Sequence, residues 1–257
     1  MPKSGELAAR SSGHMPATAA GHGGSAAARP GRFRLLLAWI FGIAGLVGYN
    51  WWLLVPFKPG LMRSPDELFS NLEVSGQPYA AAMQHADLAS GLLLLAAFLI
   101  IGPVAARGAR REWLSMVGFA IAAAVGGLFP EVCADGVDAV CRRLEYRFGL
   151  PASQYIHIVA GILEFGAITV ALVWALRRTR EQSTRPAAAY RALAIGALIA
   201  YPLLGAAYLL DRFGGVMEVV FFIGFTVMVI TQLAERTAAA RAAAAPRAAP
   251  IRQSCRA

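Results

Sequence analysis

Lysine is almost missing from this chain of 257 residues: of its 24 basic residues only Lys3 and Lys58 are lysines, and the rest are arginines. Charge of any kind is sparse, at 15% of residues against 57% hydrophobic, and mean hydropathy is +0.53. That balance excludes an ordinary soluble domain, which needs more polar surface. The net charge of +9 comes with no basic helix and no RNA-binding motif, and the arginines sit in the gaps between apolar blocks, so nucleic acid is excluded as a partner. No internal repeat and no HExxH or other tight metal motif is present.

What the chain does have is six apolar runs, at 35–55, 81–105, 113–130, 153–176, 189–210 and 216–233. Each is close to the ~20 residues that a helix needs to cross ~30 Å of hydrocarbon. The runs are continuous, and backbone polar groups in lipid must be satisfied within the segment, so helices are required. The expected fold class is all-α: a polytopic membrane protein with a six-transmembrane-helix bundle over residues 34–235. The flanking stretches 1–33 and 236–257, rich in Ala and Arg, are expected to be disordered tails. The first run exceeds the ~7–15 residues of a signal-peptide core and reads as a span rather than a cleaved leader. His14 and His22, in the first tail, are read as tail composition rather than as a metal site.

Orientation follows from the basic residues. Counting the N-tail, the 106–112 loop, the 177–191 segment and the C-tail, 18 of 24 lie on one side, which the positive-inside rule makes cytoplasmic. Both termini are therefore expected inside. Tyr49, Trp51 and Trp52 would close the first span at its outer end, and Trp113 and Trp174 would mark inner ends. Cys133 and Cys141 share the outer 131–152 loop while Cys255 lies alone in the cytoplasmic tail, which predicts a Cys133–Cys141 disulfide. Such a bridge would stabilise the loop by roughly 2.5 kcal/mol in the chain-entropy model. Zinc is the rival reading, but a Cys-x7-Cys spacing without a second His or Cys pair suits it poorly.

With this topology the ionisable residues in or near the spans all fall toward the outer side: His85, Asp87, Glu131, Asp135, His157, Glu164, Asp211 and Glu218. Such residues cost at least roughly 2.5–3.5 kcal/mol near a bilayer centre, so they mark function by default. His157 and Glu164, seven apart, share one helical face and make a polar ladder descending into the membrane. Asp87 and Ser90 share a face as well. A ligand pocket is expected from His85, Asp87, Ser90, Glu131, Asp135, His157, Glu164 and Glu218. A divalent metal such as zinc on His85, Asp87 and His157 would activate water for hydrolysis. His85 and Asp87 lie about 200° apart around a helix, so joint ligation requires the helix start to unwind. The competing reading has these side chains pair with one another and with Arg142, Arg143 or Arg212. Proton-coupled transport through Glu164 is a third reading; no acidic residue in the inner half of a helix is seen to continue a relay.

The 56–80 loop carries Ser64-Pro65-Asp66-Glu67, a capping-box pattern that predicts a short amphipathic helix with Leu68, Phe69 and Leu72 inward. Pro202 should kink or soften the fifth span, and Gly214-Gly215 should make the turn into the sixth.

The set NWW at 50–52, QHADLASG at 84–91, FPEVCADG at 129–136 and the His157-to-Glu164 helix resembles the family catalogued as domain of unknown function 998, bacterial and archaeal membrane proteins of about six helices, over roughly residues 35–235. A weaker similarity is to the seven-helix hydrolases that include alkaline ceramidases and adiponectin-type receptors; it implies a zinc site, though this chain has six runs and no HxxxH on its last one. The expected protein is an integral component of a bacterial plasma membrane whose outward polar pocket binds a membrane lipid or small ligand, or supports an envelope protein partner. The alternative is a metal-dependent hydrolase acting on a lipid of the outer leaflet.

Overall fold

The computed structural model describes residues 31–57, 64–102, 109–134, 138–180, 182, 185–210 and 212–244. Asp135, Asp211, Cys255 and the tails 1–30 and 245–257 lie outside them. Among the described residues there are α1 (Arg32–Tyr49), α2 (Ala80–Ile101), α3 (Ala109–Leu128), α4 (Ala139–Tyr146), α5 (Ala152–Thr179), α6 (Arg185–Leu209) and α7 (Gly214–Ala244), with 3-10 segments at Trp51–Phe57 and Phe69–Glu73 and no strand.

The long helices pack against their neighbours in chain order, and α7 returns to α1. Contacts define two ends. At the tail end, the start of α1 meets the end of α2 through Arg34 and the Ile100 carbonyl (3.2 Å), and Trp39 donates to Thr237 of α7 (2.8 Å). At the opposite, lid end lie the 3-10 segments, α4 and the Cys133–Cys141 disulfide.

Five helices, α1, α2, α5, α6 and α7, are long and apolar enough to cross a membrane, which marks a multi-pass membrane protein. Although α3 is comparably long, Arg110, Arg111 and Glu112 occupy its first turn and lower its hydropathy. The skin is as apolar as the core: Ile40, Val47, Leu92, Leu99, Ile162 and Leu203 stay exposed. In water such a surface would drive association, whereas against lipid tails it carries no penalty. Inside, Phe98, Met116, Phe119, Phe221, Phe225 and Met228 are fully enclosed or nearly so. Phe119 and Phe225 stack at 4.1 Å between ring centres, joining α3 to α7.

Lipid supplies no hydrophobic drive between helices, so close backbone approach must supply dispersion contact instead. Two glycines provide it between α2 and α3. A Cβ at Gly91 would stand 2.4 Å from the Ala124 nitrogen, and one at Gly127 would stand 2.4 Å from the Leu88 nitrogen.

Several expectations need correcting. The first helix ends at Tyr49 instead of 55, because the chain turns there into the Trp51–Phe57 segment; Asn50 closes the end, its side-chain amide donating to the Leu46 carbonyl (2.8 Å). Ser64 does not open an α-helix. Its hydroxyl accepts from the Asp66 amide (3.1 Å), while Asp66 spends a carboxylate oxygen on the Phe213 amide (2.8 Å), so a turn forms and helical structure begins only at Phe69, as 3-10. Phe69 and Leu72 are nonetheless buried, as the pattern requires, and Leu68 is partly so. The turn before α7 places its left-handed residue at Phe213 (φ 59°), and Gly214-Gly215 begin the helix. The stretch ERTAAARAAA continues α7 to Ala244, in keeping with the high helix propensity of alanine. Pro202 lies inside α6, which runs on to Leu209.

Candidate functional site

The lid end is assembled from the 64–80 strap upward. Besides the Asp66–Phe213 bond, the Gly215 amide donates to the Pro65 carbonyl (3.1 Å), tying the strap to the turn between α6 and α7. The 3-10 segment then starts under a carboxylate: Glu218 of α7 accepts the Phe69 amide, the role of an N-terminal cap supplied from another helix. Further on, Gln84 of α2 donates to the Glu73 carbonyl (2.5 Å), and the Ser75 amide to the Glu131 carbonyl (3.3 Å). The strap is thus fastened to α2, to α7 and to the segment after α3.

Fastening it buries polar groups. Glu73 is 3% exposed and Asn71 5%. The Glu73 carboxyl hydrogen-bonds that of Asp87, which also accepts from the Trp51 indole (2.9 Å). Two carboxyls can bond only by sharing a proton. Burial, then the Asp87 charge and its hydrogen bond, then Glu131 and Glu218, push the Glu73 carboxyl well above the ordinary range, so Glu73 is the natural holder of that proton. The second Glu73 carboxyl oxygen and both side-chain polar atoms of Asn71 are buried without a hydrogen-bond partner. Groups of this kind are uncommon and each calls for a cause.

Glu164, about midway along α5, accepts the hydroxyl proton of Tyr49, whose ring is held edge-on by Phe119, Phe222 and Phe225 at 5.2–5.3 Å. Asp87 and Glu218 lie within electrostatic reach of Glu164. The structure therefore brings Asp87, Glu131, Glu164 and Glu218 into one electrostatic neighbourhood and adds Glu73, which sequence reasoning missed. Among the described residues no arginine, lysine or histidine forms an ion pair with Glu73, Asp87, Glu164 or Glu218.

The other expected residues go elsewhere. His85 is exposed, its Nδ1 within 2.5 Å of the Ala81 carbonyl one turn back. Ser90 is buried and donates to the Ala86 carbonyl (2.6 Å), packing where α1 passes at Gly48. His157 sets Nδ1 3.2 Å from the Gly126 carbonyl and 3.1 Å from that of Phe129, so it donates there and closes the C-terminus of α3. His85, Asp87 and His157 thus engage separate partners, and among the described residues no three His, Cys, Asp or Glu side chains gather as a metal site. Asp135 lies outside the described residues.

A second lid folds over from the far side. Asp138 caps α4 by accepting the Val140 amide (2.7 Å), and the disulfide ties α4 to Cys133. Gln154, fully buried in the first turn of α5, is its hub. It accepts from the Val132 amide (2.8 Å) and donates to Glu145 (3.2 Å), to the Cys133 carbonyl (3.3 Å) and to Glu131 (3.4 Å). Nothing in its sequence context, a polar residue at a helix start, singles it out.

At the tail end the expectation of no acids is overturned. Glu112 of α3 is buried and pairs with Arg178 of α5 (2.8 Å), which also pairs with Glu235 of α7 (2.8 Å). Gln232 donates to Glu112 (3.3 Å), and Arg191 donates to the Thr179 and Arg180 carbonyls (both 3.0 Å), closing the end of α5. The guanidiniums of Arg111 (4.4 Å) and Arg177 (4.9 Å) both lie over the Trp174 ring. A polar network thus closes this end too, cross-linking three helices.

Compared with known families, residues 42–235 match the family model described as "Protein of unknown function (DUF998)". No curated protein and no solved structure matches the chain.

Proposed function

The chain belongs to the DUF998 family, and from that premise we propose that it is a six-span protein of a bacterial plasma membrane whose lid-end carboxyl cluster binds a small cationic group, free or as a lipid headgroup. The sixth span is α3: it packs between α2 and α5, the one acid of its first turn, Glu112, is paired with Arg178, and Arg110 and Arg111 stay exposed at its end. Six spans return both termini to one side, and the arginine distribution favours the cytoplasm for that side. The lid then faces outward, where a disulfide persists.

The observation that carries the reading is the unpaired buried polarity beneath the strap. Glu73 and Asn71 keep three atoms without partners, next to Asp87 and with Glu218 and Glu164 in electrostatic reach, and no described cation pairs with those carboxyls. An ammonium group supplies positive charge and N–H donors for the two unpartnered oxygens, those of Glu73 and Asn71. Exposed Tyr146 and Phe148 on the second lid suit a membrane–water interface, which favours a lipid as the source. The hydrolase alternative draws no comparable support from the positions of His85, Asp87 and His157.

The test uses the full chain in nanodiscs of phosphatidylcholine, with phosphatidylethanolamine as one arm and free ethanolamine as the other. A rise in melting temperature in either arm for wild type, lost in Asp87→Asn, supports the site and identifies the source. No rise in either arm, or an equal rise in the variant, sinks it.

A further inference from the structure

At the tail end a cavity of about 300 Å³ is lined by Glu112, Arg178, Gln182, Gln232, Glu235 and Arg236. Its volume lies at the lower bound of ligand sites, which run from about 300 to 1,000 Å³. Gln182 and Ala238 on its rim are exposed, so it opens outward. From these walls we propose that the cavity is an anion site, taking a phosphate group that bears a hydroxyl.

The argument is an accounting of donors and acceptors. Arg178 satisfies both flanking carboxylates. Its Nε and Nη2 reach the two oxygens of Glu112 (2.8 and 3.3 Å), and its Nη1 and Nη2 the two oxygens of Glu235 (3.1 and 2.8 Å). Gln232 adds a further donor to Glu112. Every acid oxygen on the wall is thus engaged, and among the described residues none forms an ion pair with Arg236, although Glu112 and Glu235 lie within electrostatic reach of it. Arg236 is only 6% exposed, and its Nη1 has no hydrogen-bond partner. A guanidinium presents donors in a planar fork that fits phosphate or carboxylate, and one left bare in a buried wall is short of an anion. Beside it the Gln232 amide oxygen is also buried and unpartnered, an acceptor that needs a donor. An anion with a hydroxyl satisfies both at once. A protonated phosphate does so, and so does the phosphoglycerol headgroup of an anionic lipid. Exposed Arg110, Arg177 and Arg180 at this end raise the local concentration of anions.

The test compares two sources with the full-length protein, delipidated in an uncharged detergent. One arm titrates inorganic phosphate. The other reconstitutes the protein into phosphatidylcholine nanodiscs with and without phosphatidylglycerol. Melting temperature is read in both. Wild type is expected to be stabilised in one arm, the phosphate arm indicating a soluble anion and the phosphatidylglycerol arm alone a headgroup. Arg236→Gln should weaken the response at least tenfold in concentration, and Arg236→Lys should restore part of it. Gln232→Met, which removes the acceptor, and with it the donor to Glu112, but keeps the guanidinium, should also weaken it and stands in if Arg236→Gln does not fold. Arg110→Gln, an exposed control, should respond as wild type. No stabilisation of wild type in either arm overturns the proposal. So does a loss in Arg110→Gln equal to that in Arg236→Gln, which would mean diffuse surface charge.

Discussion

Tyr49 donates its hydroxyl hydrogen to Glu164, joining the last turn of α1 to a carboxylate about midway along α5. The two helices meet there through a polar bond enclosed by Phe119, Phe222 and Phe225. Removing the donor strands the acceptor. Tyr49→Phe is therefore expected to destabilise the protein by roughly 1–3 kcal/mol, the cost of leaving such a group unsatisfied. Glu164→Gln keeps an acceptor oxygen and should cost less. Denaturant unfolding in micelles checks the order; a larger loss in Glu164→Gln would show that the carboxylate matters for something other than this bond.

Glu73 makes stability depend on pH with a definite sign. The folded chain holds its proton more tightly than the unfolded chain, because burial and the neighbouring charge of Asp87 disfavour the ionised form. Its contribution is complete below the unfolded value of about 4.5 and is lost as pH rises through the higher folded value. Wild type minus Glu73→Gln should thus show a stability difference that falls with rising pH above that point. Melting temperatures of both proteins from pH 4 to 8 provide the check. A difference that grows with pH would mean that Glu73 is ionised in the folded state and paired with a cation.

Glycine at the α2–α3 crossing gives a purely steric prediction. Gly91→Val and Gly127→Val must force the helices apart, since a Cβ at either site meets backbone at 2.4 Å. Overpacking of this kind costs about 1–3 kcal/mol, and backbone leaves little room to yield. Gly118→Ala on the same helix meets nothing within 4 Å and should be neutral or gain up to ~1 kcal/mol from helix propensity. Equal effects at Gly91 and Gly118 in the same unfolding assay would refute the close crossing.

Much of this architecture was legible before any coordinates, for reasons that also explain what was not. A run of apolar residues long enough to span hydrocarbon admits one backbone solution, so five of the six expected spans reappear as membrane-competent helices. The Cys133–Cys141 bridge was legible because two cysteines shared one short loop. Asp87, Glu164 and Glu218 stood out as acids within greasy runs. Glu73, Asn71 and Gln154 did not, since polar residues in a loop or at a helix start look solvated until tertiary packing covers them. The Ser64 capping box failed because Asp66 found a better use 147 residues away, at Phe213. Glu112 escaped notice behind Arg110 and Arg111, which make its surroundings read as an interfacial loop.

That concealed residue carries the last prediction. Glu112 is 2% exposed, and its ion pair with Arg178 is shielded from water. Ion pairs buried in this way contribute little net stability against a well-packed neutral replacement, but breaking one from a single side leaves a bare charge. Arg178→Gln is therefore expected to cost about 3–5 kcal/mol, since both Glu112 and Glu235 lose their main donor. Glu112→Gln combined with Arg178→Gln should recover most of that loss, because the two amides can bond each other and no buried charge is left at position 112. In the double variant Glu235 has lost Arg178 and faces Arg236 across the cavity, so the anion response should weaken although the fold is recovered. A double-mutant cycle on unfolding free energy, read together with the phosphate and phosphatidylglycerol titrations, separates the two roles: strict additivity of the single losses would show that Glu112 and Arg178 do not act as a pair.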